Sequence, residues 1–494
     1  MALLLLLAPL MVSCGGALTP TPQPVVAPVT LSAADVNSVV QQAAQSVNAP
    51  LVIAVVDRLG NVLALLVEPG APATAQGNFG QTVDARDLAI SLARTGAFFS
   101  NDQAPLSSRT VRFISGVHFP PGVTNAANAA LYGIENTNRG CPLDPSLVPG
   151  MQVALASSFN GTALGLGITT GKADTSDSDP NAVNPGGVPL FKSGQLVGGV
   201  GTAGVAPDVA EFAAFSGAVN AGFGAHPAPP GVVVIDGISL PFVNQTTRPS
   251  SVGAGAPIAF SAGIAGTTPP DGDILPPKAG TVGGLTQADV QTIINNAVAT
   301  AQVTRAVIRL PPGLRTRMSI AVSDLDGTLL ALHRMPDSTV FSIDVAVSKA
   351  RNMAYFSTAA AAADLPGMPP GTAVTNRTIS FGAQPFFPPG INASSAGPFF
   401  NLYLNDVAHP CTQGSQAANA NQSGVVFFPG SVPLYKNGML VGGLGVSGDG
   451  VDQDDYVANG GSAGFEAPAN IRADQVIIQG VRMPYLSFPR NPTD

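Results

Sequence analysis

The sequence predicts an α+β protein of two tandem modules, each an antiparallel sheet with helices packed against it. Three observations carry that expectation. The segment VPLFKSGQLVGGVGTAG (188–204) returns as VPLYKNGMLVGGLGVSG (432–448) with eleven of seventeen positions identical, so part of the chain is duplicated. Five further pairs surround it in the same order in both halves. They are LSAADVNSVVQQAA with LTQADVQTIINNAV, IAVVDRLGNVLALL with IAVSDLDGTLLALH, DLAISLARTGAFFS with DVAVSKARNMAYFS, RTVRFISGVHFPPG with RTISFGAQPFFPPG, and IDGISLPF with IQGVRMPY. Finally, 494 residues exceed what one core usually holds.

Residues 1–18 read as a signal segment: LLLLLAPLMVSC is apolar, too short to span a bilayer and ends in small residues. Its last four residues, Met11 to Cys14, resemble a bacterial lipobox, in which the cysteine is lipidated. No charged residue precedes Asp35, so the usual basic start is missing. The expectation is an exported protein in the bacterial periplasm or at the cell surface, held to the membrane by a lipid anchor alone. Residues 19–30 are a Pro-rich spacer. The first module then runs over 31–245 with a long insertion at 123–186. Residues 246–283 form a low-charge Pro/Gly/Ser/Thr linker, and the second module runs over 284–494 with an insertion at 391–430.

Each module opens with a capped helix. Ser32 and Thr286 are the caps, and Val36, Val39, Val40, Ala43 and Val290, Ile293, Ile294, Ala297 recur at helical spacing. LVIAVVD-RLGN-VLALLV reads as strand, tight turn, strand. The next helix carries Ala89, Ala93 and Ala97, small residues that permit close packing on a sheet. The duplicated segment is a second hairpin, turning on Lys192-Ser193-Gly194 and Lys436-Asn437-Gly438. Its glycines suit a strand against which another backbone or a ligand lies closely.

These segments, with RMPDS (334–338), together resemble the GlcG/HbpS-like haem-binding family, the second copy more closely than the first. The resemblance implies small α+β modules that assemble into oligomers, and a small-molecule ligand, haem being the cofactor it suggests. Haem needs an axial ligand, most often His, Met, Cys or Tyr. Of the four histidines, His118 lies in GVHFPPG and His333 follows the second copy's first hairpin, and both are candidates. Arg109 and Arg377 precede Phe-Pro-Pro-Gly loops in both halves, where a guanidinium can anchor a propionate or fix the loop's own carbonyls. The alternative is a non-catalytic structural or interaction lipoprotein that uses the duplicated fold as an internal mimic of a dimer.

Other chemistry is thin. Asp57 and Asp324 open hairpin turns, where Asp caps backbone amides, and Lys192 and Lys436 are expected to be exposed. The acidic stretches 172–180 and 447–456, with Asp174, Asp177, Asp179 and Asp449, Asp452, Asp454, lack EF-hand spacing and read as solvated loops. His409 beside Cys411 is a weak metal signal. Cys141 and Cys411, one in each half, are either a disulfide or two thiols. A net charge of −8 without any Lys/Arg run argues against a nucleic-acid partner. VGGVGTAG follows a hairpin strand and feeds no helix of a parallel unit, so it is not a dinucleotide loop.

Overall fold

The computed structural model describes residues 28–77, 82–134, 137, 141, 185–225, 233–409 and 411–494. The signal segment with Cys14, most of the spacer, most of the first insertion including Asp174, Asp177 and Asp179, and His226 lie outside the described residues.

The first module begins with α1 (Ala33–Ser46), whose cap Ser32 and third residue Asp35 form a reciprocal capping box. Strands β1 (Val52–Asp57) and β2 (Val62–Val67) form the first hairpin. A short ribbon, β3 (Thr74–Gln76) with β4 (Thr82–Asp84), leads into α2 (Ala85–Phe99) and then α3 (Ser108–Phe113). The second hairpin is β5 (Gly187–Lys192) with β6 (Gln195–Ala203), followed by α4 (Pro207–Asn220) and a ribbon of β7 (Val234–Ile235) and β8 (Ile238–Ser239). The sheet order is β2-β1-β6-β5, antiparallel throughout.

The second module repeats this plan. It has α5 (Gln287–Val303), β10 (Ser319–Ser323), β11 (Leu329–Arg334), α6 (Phe341–Phe356) and α7 (Asn376–Gly382). An added helix α8 (Phe400–Ala408) precedes β12 (Ser431–Lys436), β13 (Met439–Ser447), α9 (Val451–Gly461), β14 (Ile477–Ile478) and β15 (Val481–Arg482). The linker contributes β9 (Gly272–Leu275), so this sheet reads β12-β13-β10-β11-β9.

The duplicated glycines let a helix lie on bare strand backbone. A Cβ at Gly199 would sit 2.1 Å from the Ala93 carbonyl oxygen, and one at Gly201 would sit 2.0 Å from that of Ala89. The second copy gives 2.1 Å from Gly443 to Ala350 and 2.0 Å from Gly445 to Ala346. The close neighbour anticipated at these strands is therefore helix backbone, with no room left there for a ligand. On the opposite sheet faces, α1 and α4 cover the first module's apolar residues, and α5 and α9 cover the second's.

The two modules share a core. One continuous apolar cluster takes in Ala89, Ala93 and Phe99 of α2 together with Phe341, Val345 and Ala346 of α6. The Phe99 and Phe341 rings stack at 4.3 Å, and the Val340 N–H donates to the Phe98 carbonyl at 3.1 Å. Asp337 joins the modules electrostatically. It accepts from Arg58 of the first module and from Arg309 of the second, each at 2.5 Å, and from the Asp102 backbone N–H. The two arginines outweigh the cost of burial and hold the Asp337 carboxyl down at about 2.

The linker is bonded to both modules. Gly255, Ile264 and Gly266 donate backbone hydrogen bonds to Gln45, Leu63 and Leu31, binding it along the first module before β9 joins the second sheet. Its backbone groups find partners on a strand edge and a helix surface. The insertions also meet. Tyr132 stacks on Tyr403 at 5.2 Å, its hydroxyl donates to the Ala383 carbonyl, and Cys141 is disulfide-bonded to Cys411.

A Gly445→Ala substitution is expected to destabilise the chain by about 3 kcal/mol or more, since α6 must lift from β13 to admit the methyl group. An unchanged denaturant midpoint for this variant would contradict the packing described.

Candidate functional site

The polar residues shared by the two copies are bonded to one another in the same way twice. Helix α3 is capped by Ser107 and α7 by Thr375, each in a reciprocal arrangement with the threonine three residues on. Both caps also donate a hydroxyl to the C-terminal tail of their module, Ser107 to the Phe242 carbonyl and Thr375 to that of Tyr485. The capped turns aim Arg109 and Arg377 at the following helices. Arg109 Nε and Nη2 donate to Glu211 at 2.6 and 3.1 Å, and Arg377 Nε donates to Asp455 at 2.5 Å while its Nη2 reaches Asp452. Glu211 also accepts the Asn244 N–H, and Asp455 accepts the matching Ser487 N–H. Burial would lower the Arg377 pKa, but Asp455 and Asp452 more than offset this and hold it above the ordinary value. A propionate arriving at either arginine meets a guanidinium already bound to a buried carboxylate.

The same duplication holds elsewhere. Asp57 is fully buried and accepts the N–H groups of Leu59, Asn61 and Thr267, while Asp324 accepts those of Thr281, Val282, Gly283 and Leu325. Arg94 Nε donates to the Gly60 carbonyl and Arg351 Nε to that of Gly327. Lys192 and Lys436, expected to be exposed, are partly covered and bind the helix-capping residues Asp35 and Asp289 at 2.5 and 2.7 Å.

The histidines take separate partners. His118 is 6% exposed, and its Nε2 lies 3.0 Å from Asn392 Oδ1 of the other module. Its ring lies 6.0 Å from that of Phe386, the residue at the matching position of the second copy. Around this crossing, the Asn125 N–H donates to Asn392 Oδ1 and the Asn392 N–H donates back to Asn125 Oδ1. His333 lies on β11 with Nδ1 2.7 Å from Asp273 on the linker strand β9. His409 ends α8 and is exposed. Arg109, Arg377, His118 and His333 thus sit at four different places in the fold. Among the described residues no group of three or more His, Cys, Asp or Glu is placed to hold a metal ion. No described helix is long and apolar enough to cross a membrane.

The stretch 447–456 is no solvated loop. It runs into the first turns of α9, and each of its four acids has a cation: Asp449 with Arg309, Asp452 and Asp455 with Arg377, Asp454 with Lys349. Lys349 is fully buried, donates to the Val446 carbonyl at 2.8 Å and lies 4.9 Å from the centre of the Phe428 ring. Burial depresses the Lys349 pKa and pushes Asp454 up to about 7, against the pull of the ammonium. The first copy carries Leu92 and Ala210 at the two matching positions, so the pair is present in one module only. That paired difference was readable by aligning the copies, but only the fold brings the two residues together.

A cleft of about 280 Å³ opens beside α8, lined by Asp364, Asn401, Asn405 and Ser415 with Pro366 and Leu402. Sequence reasoning missed it because its walls come from the insertion and from the 359–366 turn, which have no counterpart motif in the first copy. Haem does not fit these residues. No His, Met, Cys or Tyr lines the cleft to ligate iron, and no Arg or Lys lines it to meet a propionate.

The Lys349–Asp454 pair yields a sharp expectation. Lys349→Leu alone leaves Asp454 buried without its ammonium and costs about 3 kcal/mol or more. Its carboxyl then rises above its present value of about 7, so stability falls as pH increases from about 4 to beyond 7. Adding Asp454→Ala, which reproduces the first copy's pairing, recovers most of the loss. Equal stability of single and double variants across that pH range would contradict the pairing.

The family described as "Haem degrading protein HbpS-like" matches residues 285–463. A 157-residue stretch, 32% of the chain, is 27% identical to the corrinoid adenosyltransferase PduO of Salmonella typhimurium and covers 34% of it. The chain thus spans about a third of the length of that curated relative. Among solved structures, a PduOC–heme complex is 23% identical at a TM-score of 0.24, covering 37% of this chain and 94% of that one. A double mutant of Streptomyces reticuli HbpS is 17% identical at a TM-score of 0.21, covering 42% and 97%. Residues 285–463, in the second module, are thus similar to the HbpS-like family, and the first module repeats the same order of helices and hairpins.

Proposed function

We propose that this protein is an exported, lipid-anchored, non-catalytic binding protein for a small molecule, built on two fused HbpS-like modules. The observation that carries this reading is the internal pairing of the repeated polar groups. Both arginines bind carboxylates and both turn aspartates bind backbone amides, so these repeated groups are engaged inside the frame. What distinguishes the chain from its own repeat is the inserted material, and that is where its described cleft lies. The Cys141–Cys411 bond supports an oxidising location, since disulfides persist outside the cytoplasm.

Haem is the ligand class that the family description and the PduOC–heme complex suggest. Haem coordination by His118 would displace Asn392, and a propionate at Arg109, at a separate place in the fold, would displace Glu211. A second reading, an interaction protein using an internal pseudo-dimer, is favoured by the reciprocal Asn125–Asn392 bonds across the modules.

Haem titration of the chain lacking residues 1–18, followed by visible absorbance, tests these readings. A saturable Soret shift supports haem as ligand, and its absence retires haem and favours the interaction reading. Wild type and His118→Ala are expected to give the same spectrum. Loss of a saturable shift in His118→Ala would make His118 the axial ligand and overturn its assignment to the module contact.

A further inference from the structure

We propose that the cleft beside α8 binds a neutral, hydroxyl-rich small molecule, a single saccharide unit being the class its walls suit. The proposal is independent of haem, of Arg109 and of His118. One wall is a fixed carboxylate. Asp364 Oδ2 accepts the Tyr355 hydroxyl at 2.7 Å and the Ser415 hydroxyl at 3.0 Å, and Oδ1 accepts the Ser415 N–H at 2.8 Å. A carboxylate offers about four acceptor positions, so these three bonds orient the group and leave one for a ligand hydroxyl.

The loop that closes this wall requires glycine. Gly414 has a φ of +53°, and a Cβ there would lie 2.5 Å from the Asp364 carboxyl carbon. Three residues earlier the chain is tied to the first module's insertion through Cys411. The wall is therefore held in place before any ligand arrives, which lowers the ordering cost of binding.

The facing wall is α8. Asn401 and Asn405 are four residues apart, one turn along the same helix face, and both line the cleft. Each amide both donates and accepts, the pairing that vicinal hydroxyls need. Ala363, Leu402 and Pro398 supply apolar surface between the polar walls. With a carboxylate present and no cationic side chain in the lining, an anionic ligand is disfavoured. The volume of about 280 Å³ lies at the small end of ligand pockets, suiting one ring in preference to an extended molecule.

The test is ligand-observed saturation-transfer NMR on the chain lacking residues 1–18, with glucose, galactose, N-acetylglucosamine and glucuronate as probes. At least one neutral sugar is expected to bind saturably, and glucuronate at least tenfold more weakly. The combined Asn401→Ala and Asn405→Ala variant, changed on the outer face of a helix, is expected to lose at least tenfold in affinity at an unchanged melting temperature. Saturable binding of none of the neutral sugars, equal affinity in the double variant, or tighter binding of glucuronate would each overturn the proposal. A failed haem titration bears on none of these readouts.

Discussion

The contact on which both modules depend is helix backbone lying directly on strand backbone. At Gly199, Gly201, Gly443 and Gly445 there is no room for a methyl group beneath α2 or α6. Once those helices are that close, their other sides become the surface where the modules meet. This is why all sixteen residues of α6 are buried, including Lys349 and Arg351, and why its polar groups need partners inside the protein. The pairing of Arg351 with the Gly327 carbonyl and of Lys349 with Asp454 follows from this burial. Buried charge pairs contribute little net stability, yet removing one partner is costly, so such pairs persist once installed.

Seen from that contact, the repeated charged residues form a set of braces. Arg109–Glu211 and Arg377–Asp455 tie a short capped helix to the helix after the second hairpin, and the same two acids collect the backbone of the C-terminal tail. The insertions and the linker then add what a single module lacks. The linker completes the second sheet, and the insertions clasp each other through Tyr132, Tyr403 and the disulfide. That added layer also forms a wall of the cleft beside α8.

Much of the frame was legible in the sequence, because helix caps, hairpin turns and apolar periodicity are local. Ser32 and Thr286 cap where expected, the hairpins turn where expected, and the glycines mark a close approach. The partners were not legible. Arg109 and Glu211 are 102 residues apart, and nothing local distinguishes an arginine that will meet a ligand from one that will meet a buried glutamate. The linker's partners were not legible for a related reason: Pro- and Gly-rich composition reports a low tendency to form its own structure, not whether a neighbouring edge will capture it. The acidic stretch 447–456 at the start of α9 misled likewise, since its cations arrive from Arg309, Lys349 and Arg377, far away in sequence.

The central claim is that two modules, linker and insertions form one cooperative body with a shared core. Scanning calorimetry of the chain lacking residues 1–18 tests it most directly. The shared α2–α6 core and the Asp337 network predict a single transition whose calorimetric and van't Hoff enthalpies agree. Two resolved transitions, each accounting for about half the enthalpy, would show modules that unfold independently and would contradict the account.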